Sequence, residues 1–388
     1  DDPISDGHML ALNEDVVLVS INHRLNILGF LDLSDFGPEY KYSGNVGMLD
    51  IVKAMEWVRD NVETFGGDPG NVTILGESGG GGKVGTLMCM PPAKGLFHKA
   101  IIQSGTLLNV MDKESSAALG RAVLEAAGLT PDQVKGLDTI PYKKLVEIGN
   151  EAMRNSVGIR RPGSSRMFGF GPTPDGEVLL QQPFSPNFAD ISSDIPLLIG
   201  STLNEMMPVA YGEKEMTEEQ ARERLLPLYA EDTDKFIELY KQAYPDYTPQ
   251  DLLSIDRVFR PLTIEVADVR SATANAPTYV YLLTWKSPVD DGTKGSFHGM
   301  DIPLAFNNIE LGKHWTGDTE ESIALAATMS KVWANFAKTG NPNAEGAVPA
   351  WNAYSKENGE TMIFDSECRI ANNHDRDLMS LIKARFFN

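Results

Sequence analysis

Cysteine is almost missing from this sequence: Cys89 and Cys368 are the only two in 388 residues. Neither lies in a C-x-x-C pair or a Cys/His cluster, which argues against a structural zinc site, and two distant cysteines make no disulfide framework from which to read a compartment. Basic residues are scarce too. The chain has 34 Lys and Arg against 54 Asp and Glu, a net charge of −20, with a sequence pI of about 4.7. That balance speaks against nucleic acid and anionic membrane as partners. It reads first as solubility, and second as a field that would draw cationic substrates. No apolar run approaches the roughly 20 residues of a membrane span. There is no initiating Met and no signal peptide, the chain opening on Asp1-Asp2-Pro3. Internal repeats and low-complexity linkers are absent as well.

What is present points to an α/β protein. Apolar residues make up 42% of the chain, enough for a large core. Val16 to Ile21 is a near-continuous apolar run of strand length, as expected of a strand buried on both faces. Met48, Val52, Met55, Val58, Val62 and Phe65 recur at helical spacing, and Gly66-Gly67-Asp68-Pro69 ends that helix. Further strands are predicted over Asn71–Leu75, Ala100–Gln103, Pro196–Gly200, Thr278–Leu283 and, last, Thr361–Phe364. Asp318 with Glu321 reads as a capping box opening a helix that Gly340 and Pro342 stop, and Asp375 to Phe387 reads as a terminal helix. Alternation of strand and helix favours a mostly parallel sheet with helices on both faces. The segments near 112–155 and 216–274 are helical without strands and read as insertions capping that sheet.

The chemistry centres on Gly76-Glu77-Ser78-Gly79-Gly80 after a short apolar strand. It fits the G-x-S-x-G nucleophile elbow, in which the serine sits on a strained strand-to-helix turn with its hydroxyl above the sheet. Residues two before and two after the serine approach each other, so both are expected to need the small size of glycine. The N–H of Gly79 then lies at a helix start, where developing negative charge is stabilised. A phosphate loop is the competing reading, since Gly82-Lys83 follows. A Walker loop needs Gly five residues before that pair and Ser or Thr after it, and this chain has Glu77 and Val84 there.

The segment Phe65-Gly66-Gly67-Asp68-Pro69-Gly70-Asn71-Val72-Thr73 running into the elbow resembles the type-B carboxylesterase and cholinesterase-like family of α/β-hydrolases. So do Val17 to Leu25, Gly44 to Asp50, Leu96 to Gly105, Pro172 to Gly176 and Pro196 to Glu205, so the resemblance runs from residue 8 almost to the end. Bacterial carboxylesterases are nearest, although most members have Ala at the position of Gly79. The resemblance implies one α/β-hydrolase catalytic domain over residues 1–388, N-terminally incomplete, and a triad in the order Ser, acid, His. Glu205 occupies the acid position, flanked by Asn204 and Met206 where the family has Asp and Gly. His298, in Ser296-Phe297-His298-Gly299-Met300-Asp301, matches the base. His314 and His374 are expected to be solvated. Glu77 and Ser104 fall where the family keeps side chains that support the triad, and Phe168 where it places an acyl-pocket aromatic.

The implied activity is hydrolysis of small carboxylic esters through an acyl-enzyme, with no metal or cofactor. A non-catalytic cholinesterase-like binding or adhesion module is the alternative, and amide or thioester hydrolysis would use the same residues. The resemblance favours a secreted or periplasmic protein. The family's His-Gly-Gly-Gly-type oxyanion loop does not occur in the sequence and is expected upstream of Asp1, on a preceding segment or a separate chain that completes the fold. Asn71-Val72-Thr73 is a formal glycosylation sequon, expected to be buried beside the elbow strand.

Overall fold

The computed structural model describes residues 3–156, 169–185, 188, 190–206 and 215–387. Phe168 lies outside them. Six strands form one sheet in the order β1 (Thr73–Glu77), β2 (Lys99–Gln103), β3 (Leu197–Thr202), β4 (Thr278–Leu283), β5 (Glu360–Phe364) and β6 (Arg369–Asn372). Neighbours β1 to β5 pair in parallel, and β6 returns antiparallel to β5. The chain crosses from each parallel strand to the next through helical segments, as parallel pairing requires. Strands β2 to β5 are buried along their whole length, which is why their sequences are apolar without alternation.

Successive strand residues still point to opposite faces. Ala100, Ile102, Leu197, Ile199 and Val280 pack on one face, against Met48, Met55, Val84 and Val266 of helices Val46–Asn61, Gly79–Leu87 and Phe259–Thr273. Ile101, Leu198, Tyr279, Tyr281 and Met362 pack on the other, mainly against Leu325, Met329, Trp333 and Phe336 of helix Glu320–Thr339. Two satellite cores complete the molecule. Helices Lys113–Ala126 and Tyr142–Asn155 close on Ile27 and Leu31. Helices Glu218–Tyr229 and Thr233–Ala243 pack with the C-terminal helix Arg376–Phe386.

Several expectations change. Val16 to Ile21 is not a strand. It runs without regular structure and pairs with no strand among the described residues, and Val17, Val19 and Ile21 are 40–43% exposed while Leu18 packs on the core. An apolar run marks a buried strand only where neighbours satisfy its backbone on both sides, and here β1 is hydrogen-bonded to β2 alone. Strand β6 went unread because Arg369-Ile370-Ala371-Asn372 is a short, half-exposed edge. Helix Glu320–Thr339 is capped by Thr319, whose hydroxyl accepts from the Ser322 N–H, rather than by an Asp318–Glu321 box. Asn71 is exposed, not buried, with its side chain tied to Lys338 O and Lys99. His314 is exposed, whereas His374 is half-buried beside Asp375. Both cysteines are free. Among the described residues no helix is long and apolar enough to cross a membrane.

Candidate active site

The site is built at the C-terminal ends of β1, β3 and β4, where parallel sheets present their functional loops. At the end of β1 the chain reverses into helix Gly79–Leu87 with Ser78 at φ 54°, ψ −120°. That is a strained conformation for a residue with a Cβ. It is held from both sides: the Ser78 N–H donates to Gln103 O at 2.9 Å, and Ser78 O accepts from the Gly82 N–H at 3.0 Å. Of the two flanking glycines, only Gly76 is sterically required. A Cβ there would stand 2.3 Å from the Gly80 carbonyl carbon, whereas one on Gly80 would meet nothing within 4 Å. Gly79 is the first residue of the helix, so its N–H has no partner within the helix.

Glu205 follows β3 and is buried. Its Oε1 accepts from the Thr202 N–H at 2.7 Å, and its Oε2 takes the Nδ1 of His298 at 2.5 Å. The loops carrying acid and base are joined along their backbones: the Asn204 N–H donates to Ser296 O at 2.9 Å and the His298 N–H to Glu205 O at 3.2 Å. Asn204 explains its own departure from the family pattern. Its amide oxygen accepts from the Ser296 N–H at 2.8 Å while its NH₂ donates to Ser254 O at 3.2 Å, and a carboxylate could not make the second bond. Phe259 lies flat against the imidazole, with ring centroids 5.5 Å apart and planes at 4°.

Glu205, His298 and Glu77 thus come together at the end of the sheet that carries Ser78, and two of the sequence-predicted residues stand differently from what was expected of them. Ser104 is fully buried at the end of β2, but among the described residues its hydroxyl makes no hydrogen bond, to Glu205 or to any other group. Glu77 stands closer to the chemistry than a supporting role implies, with Oε1 3.3 Å from His298 Nε2.

Two further acids were given no role from the sequence. Asp301, fully buried, accepts from the Tyr281 hydroxyl at 2.6 Å. Its signal was its place in the His298-Gly299-Met300-Asp301 run, three residues after the histidine. Asp256, also buried, accepts the N–H groups of Val258, Phe259 and Arg260 at the start of helix Phe259–Thr273. An Asp just ahead of a helix is the signal for such a cap.

The electrostatics follow from packing these acids together. Burial, reinforced by the charge of Asp301, pushes Glu77 up to about 8. Burial likewise raises Asp301, against the hydrogen bond from the Tyr281 hydroxyl. Burial and the charge of Glu205 raise Asp256 to about 7, against its three backbone donors. For His298, burial pulls downward, but the Glu205 hydrogen bond and charge, with Glu77 and Asp301, outweigh it and carry the ring to about 9. The imidazolium is therefore strongly stabilised, as a base that must hold a proton through a tetrahedral intermediate requires.

The remaining resemblance blocks also meet in space. The Asn45 side chain donates to Thr173 O at 2.7 Å and accepts from the Thr173 N–H at 3.0 Å, and Arg24 binds Asp50 through two side-chain nitrogens.

Comparison with known proteins agrees with this arrangement. A profile of the carboxylesterase family matches residues 2–380. The para-nitrobenzyl esterase of Bacillus subtilis (strain 168) is 34% identical over 385 residues, 97% of this chain and 74% of that protein. Among solved structures, an esterase from anaerobic Clostridium hathewayi, which can hydrolyze aliphatic aromatic polyesters, superposes with a TM-score of 0.85 at 36% identity, covering 98% of this chain and 75% of that one. A Geobacillus stearothermophilus carboxylesterase superposes with a TM-score of 0.78 at 31% identity, covering 98% and 78%. With the α/β-hydrolase sheet, the nucleophile elbow and these similarities in place, the chain belongs to the carboxylesterase family and is a serine hydrolase of carboxylic esters.

Proposed function

We propose that Ser78, His298 and Glu205 carry the ester hydrolysis of this chain. His298 Nε2 takes the Ser78 proton as the hydroxyl attacks the ester carbonyl. Glu205 holds Nδ1–H, fixes the tautomer and stabilises the imidazolium. The tetrahedral oxyanion lies at the start of helix Gly79–Leu87, where the Gly79 N–H is one donor of a hole that uses at least two. His298 then gives its proton to the leaving alcohol. Water, activated by the same ring, cleaves the acyl-enzyme. The observation that carries this reading is the 2.5 Å contact between His298 Nδ1 and the buried Glu205, beside a serine on an elbow.

A binding module without catalysis is not favoured, because the similar proteins are named esterases and all three residues are retained. Small-molecule esters are the substrate class, and aryl esters of short acids serve to test it. Incubation with an organophosphonate followed by peptide mass spectrometry should find the adduct on Ser78, and Ser78→Ala should abolish both label and turnover. A full-rate Ser78→Ala enzyme would overturn the assignment.

A further inference from the structure

Acid and base come from segments far apart in the chain, so the turn that carries Glu205 and the loop that carries His298 must be held together. The backbone of the base loop does not favour its own place. It approaches His298 through Asp290, Asp291 and Gly292 at φ 56°, 56° and 79°, and residues with a Cβ adopt such left-handed backbone only where their surroundings impose it. The constraint comes from Asn204, which precedes the acid and is 1% exposed. Its N–H donates to Ser296 O at 2.9 Å, and its side-chain oxygen accepts from the Ser296 N–H at 2.8 Å. Both backbone groups of Ser296 thus close on one residue. Gly295 leaves room for that oxygen, since a Cβ there would stand 2.3 Å from it.

The other end of the amide reaches a third segment. The Asn204 NH₂ donates to Ser254 O at 3.2 Å, and the Asp256 N–H donates back to Leu203 O at 2.8 Å. Asp256 in turn accepts from the Phe259 N–H, and Phe259 is the ring that lies flat against His298. One side chain therefore links the acid, the base and the aromatic wall behind the base. An amide suits this place because it accepts on one side and donates on the other. The Ser296 hydroxyl also donates to Leu283 O at 2.8 Å, which holds the loop to β4 rather than to the acid.

We propose that Asn204 is a positioning residue for the ester hydrolysis: it acts through Glu205 and His298, holding their two segments in register so that the buried carboxylate meets Nδ1 at 2.5 Å. Buried and uncharged, it reaches the reaction only through where it puts those two groups. The titration of the ring is set by Glu205 from the turn after β3, by Glu77 from the end of β1 and by Asp301 of helix Asp301–Ala305. Asp256, ahead of helix Phe259–Thr273, stands within the field of Glu205. Replacing Asn204 by an uncharged residue alters none of these charges, so a change in that titration reports the place of Glu205 against the ring. This inference rests on the triad reading and names what holds its acid and base together.

The test is kcat, KM and the pH profile of kcat/KM for an aryl ester in the wild-type chain, Asn204→Ala and Asn204→Asp. Displacing a catalytic group by about 1 Å costs on the order of 100-fold in rate, so Asn204→Ala should lower kcat by about 10- to 100-fold with KM within about threefold. The bond and charge of Glu205 raise His298, so loosening their contact should also move the acid limb of the profile down by about one pH unit. Asn204→Asp keeps the acceptor for the Ser296 N–H and gives up the donor to Ser254 O. It should recover most of the lost rate, with an acid limb no lower than that of wild type. A fold weakened without displacement would lower the amount of active enzyme and leave the limb in place. Wild-type kcat or an unmoved limb in Asn204→Ala, or an Asn204→Asp enzyme as slow as Asn204→Ala, overturns the proposal. Should Asn204→Ala not fold, hydrogen exchange in the wild-type protein decides the matter: the Ser296 and His298 amides should exchange as slowly as that of Asn204, and exchange at least about tenfold faster in the base loop overturns it. Activity surviving in Ser78→Ala or His298→Ala would instead sink the triad reading, so the two failures are distinguishable.

Discussion

Replacing Glu205 by Gln isolates the role of the buried acid, because the structure dictates how the amide must sit. Glu205 Oε1 accepts from the Thr202 N–H at 2.7 Å and Oε2 faces His298 Nδ1 at 2.5 Å. If the Gln NH₂ took the Oε1 position, two donors would face each other in a buried site, at a cost of about 1–3 kcal/mol. The amide oxygen therefore goes to Thr202, and the NH₂ faces Nδ1. Nδ1 must then accept, which places the ring proton on Nε2 and leaves no lone pair there for Ser78. An acid-to-amide change that imposes the wrong tautomer lowers kcat by about 10⁴, roughly 5 kcal/mol of barrier. The fold should survive, because neutralising Glu205 also relieves buried Asp256, which its charge raises. Burst kinetics with an aryl ester should show acylation slowed by that factor, with a melting temperature within a few degrees of wild type. Near-full kcat in Glu205→Gln, with Asp301→Asn or Asp256→Asn inactive, would refute the assignment of the acid.

Three further outcomes are expected. Gly76→Ala would press a Cβ to 2.3 Å from the Gly80 carbonyl carbon, which is backbone and cannot swing aside. It should cost about 1–3 kcal/mol and at least about 100-fold in kcat as the elbow shifts. Gly80→Ala, which meets nothing, should melt near wild type, and equal damage from both would refute the contact argument. Asp375→Asn strips the carboxylate from Arg260, a fully buried pair at 2.8 Å, and should destabilise by about 3–5 kcal/mol in urea unfolding; a loss below 1 kcal/mol would contradict it. Stability should also fall as pH rises from about 6.5 to 9, above the range in which the lowered His98 and His374 act with the opposite sign. Glu77 and Asp256 titrate at about 8 and about 7 when folded, above their unfolded values, so each contributes a penalty that grows as pH climbs from about 4 to those values. His298, raised to about 9, contributes stability that is full below about 6.5 and lost through 9. All three have one sign, so a melting temperature flat or rising over that range would contradict the burial argument.

The readable parts of this protein are those whose physics is local. The elbow is written in five consecutive residues because a strained serine and a glycine under a helix start must be adjacent in sequence. The parallel strands β2 to β5 are legible because burial on both faces removes polar residues from a short run. Val16 to Ile21 misled for the same reason: composition records apolarity but not whether a neighbour strand is hydrogen-bonded to it. What stayed hidden depends on contacts across long stretches of chain. Arg260 and Asp375 are 115 residues apart, and nothing around either marks the other as its partner. The acid cluster around His298 draws Glu77, Glu205, Asp256 and Asp301 from four different elements, and without the resemblance that singled out Glu77 and Glu205 each reads as an ordinary polar residue. Their separation in sequence is what lets one ring be gripped from several sides. A single helix or turn could not place carboxyl groups on both nitrogens of an imidazole, whereas the ends of parallel strands converge from independent directions. The sheet therefore does more than display Ser78. It also gathers the carboxyl groups around His298, and Glu205 among them would stabilise the imidazolium once Ser78 has given up its proton.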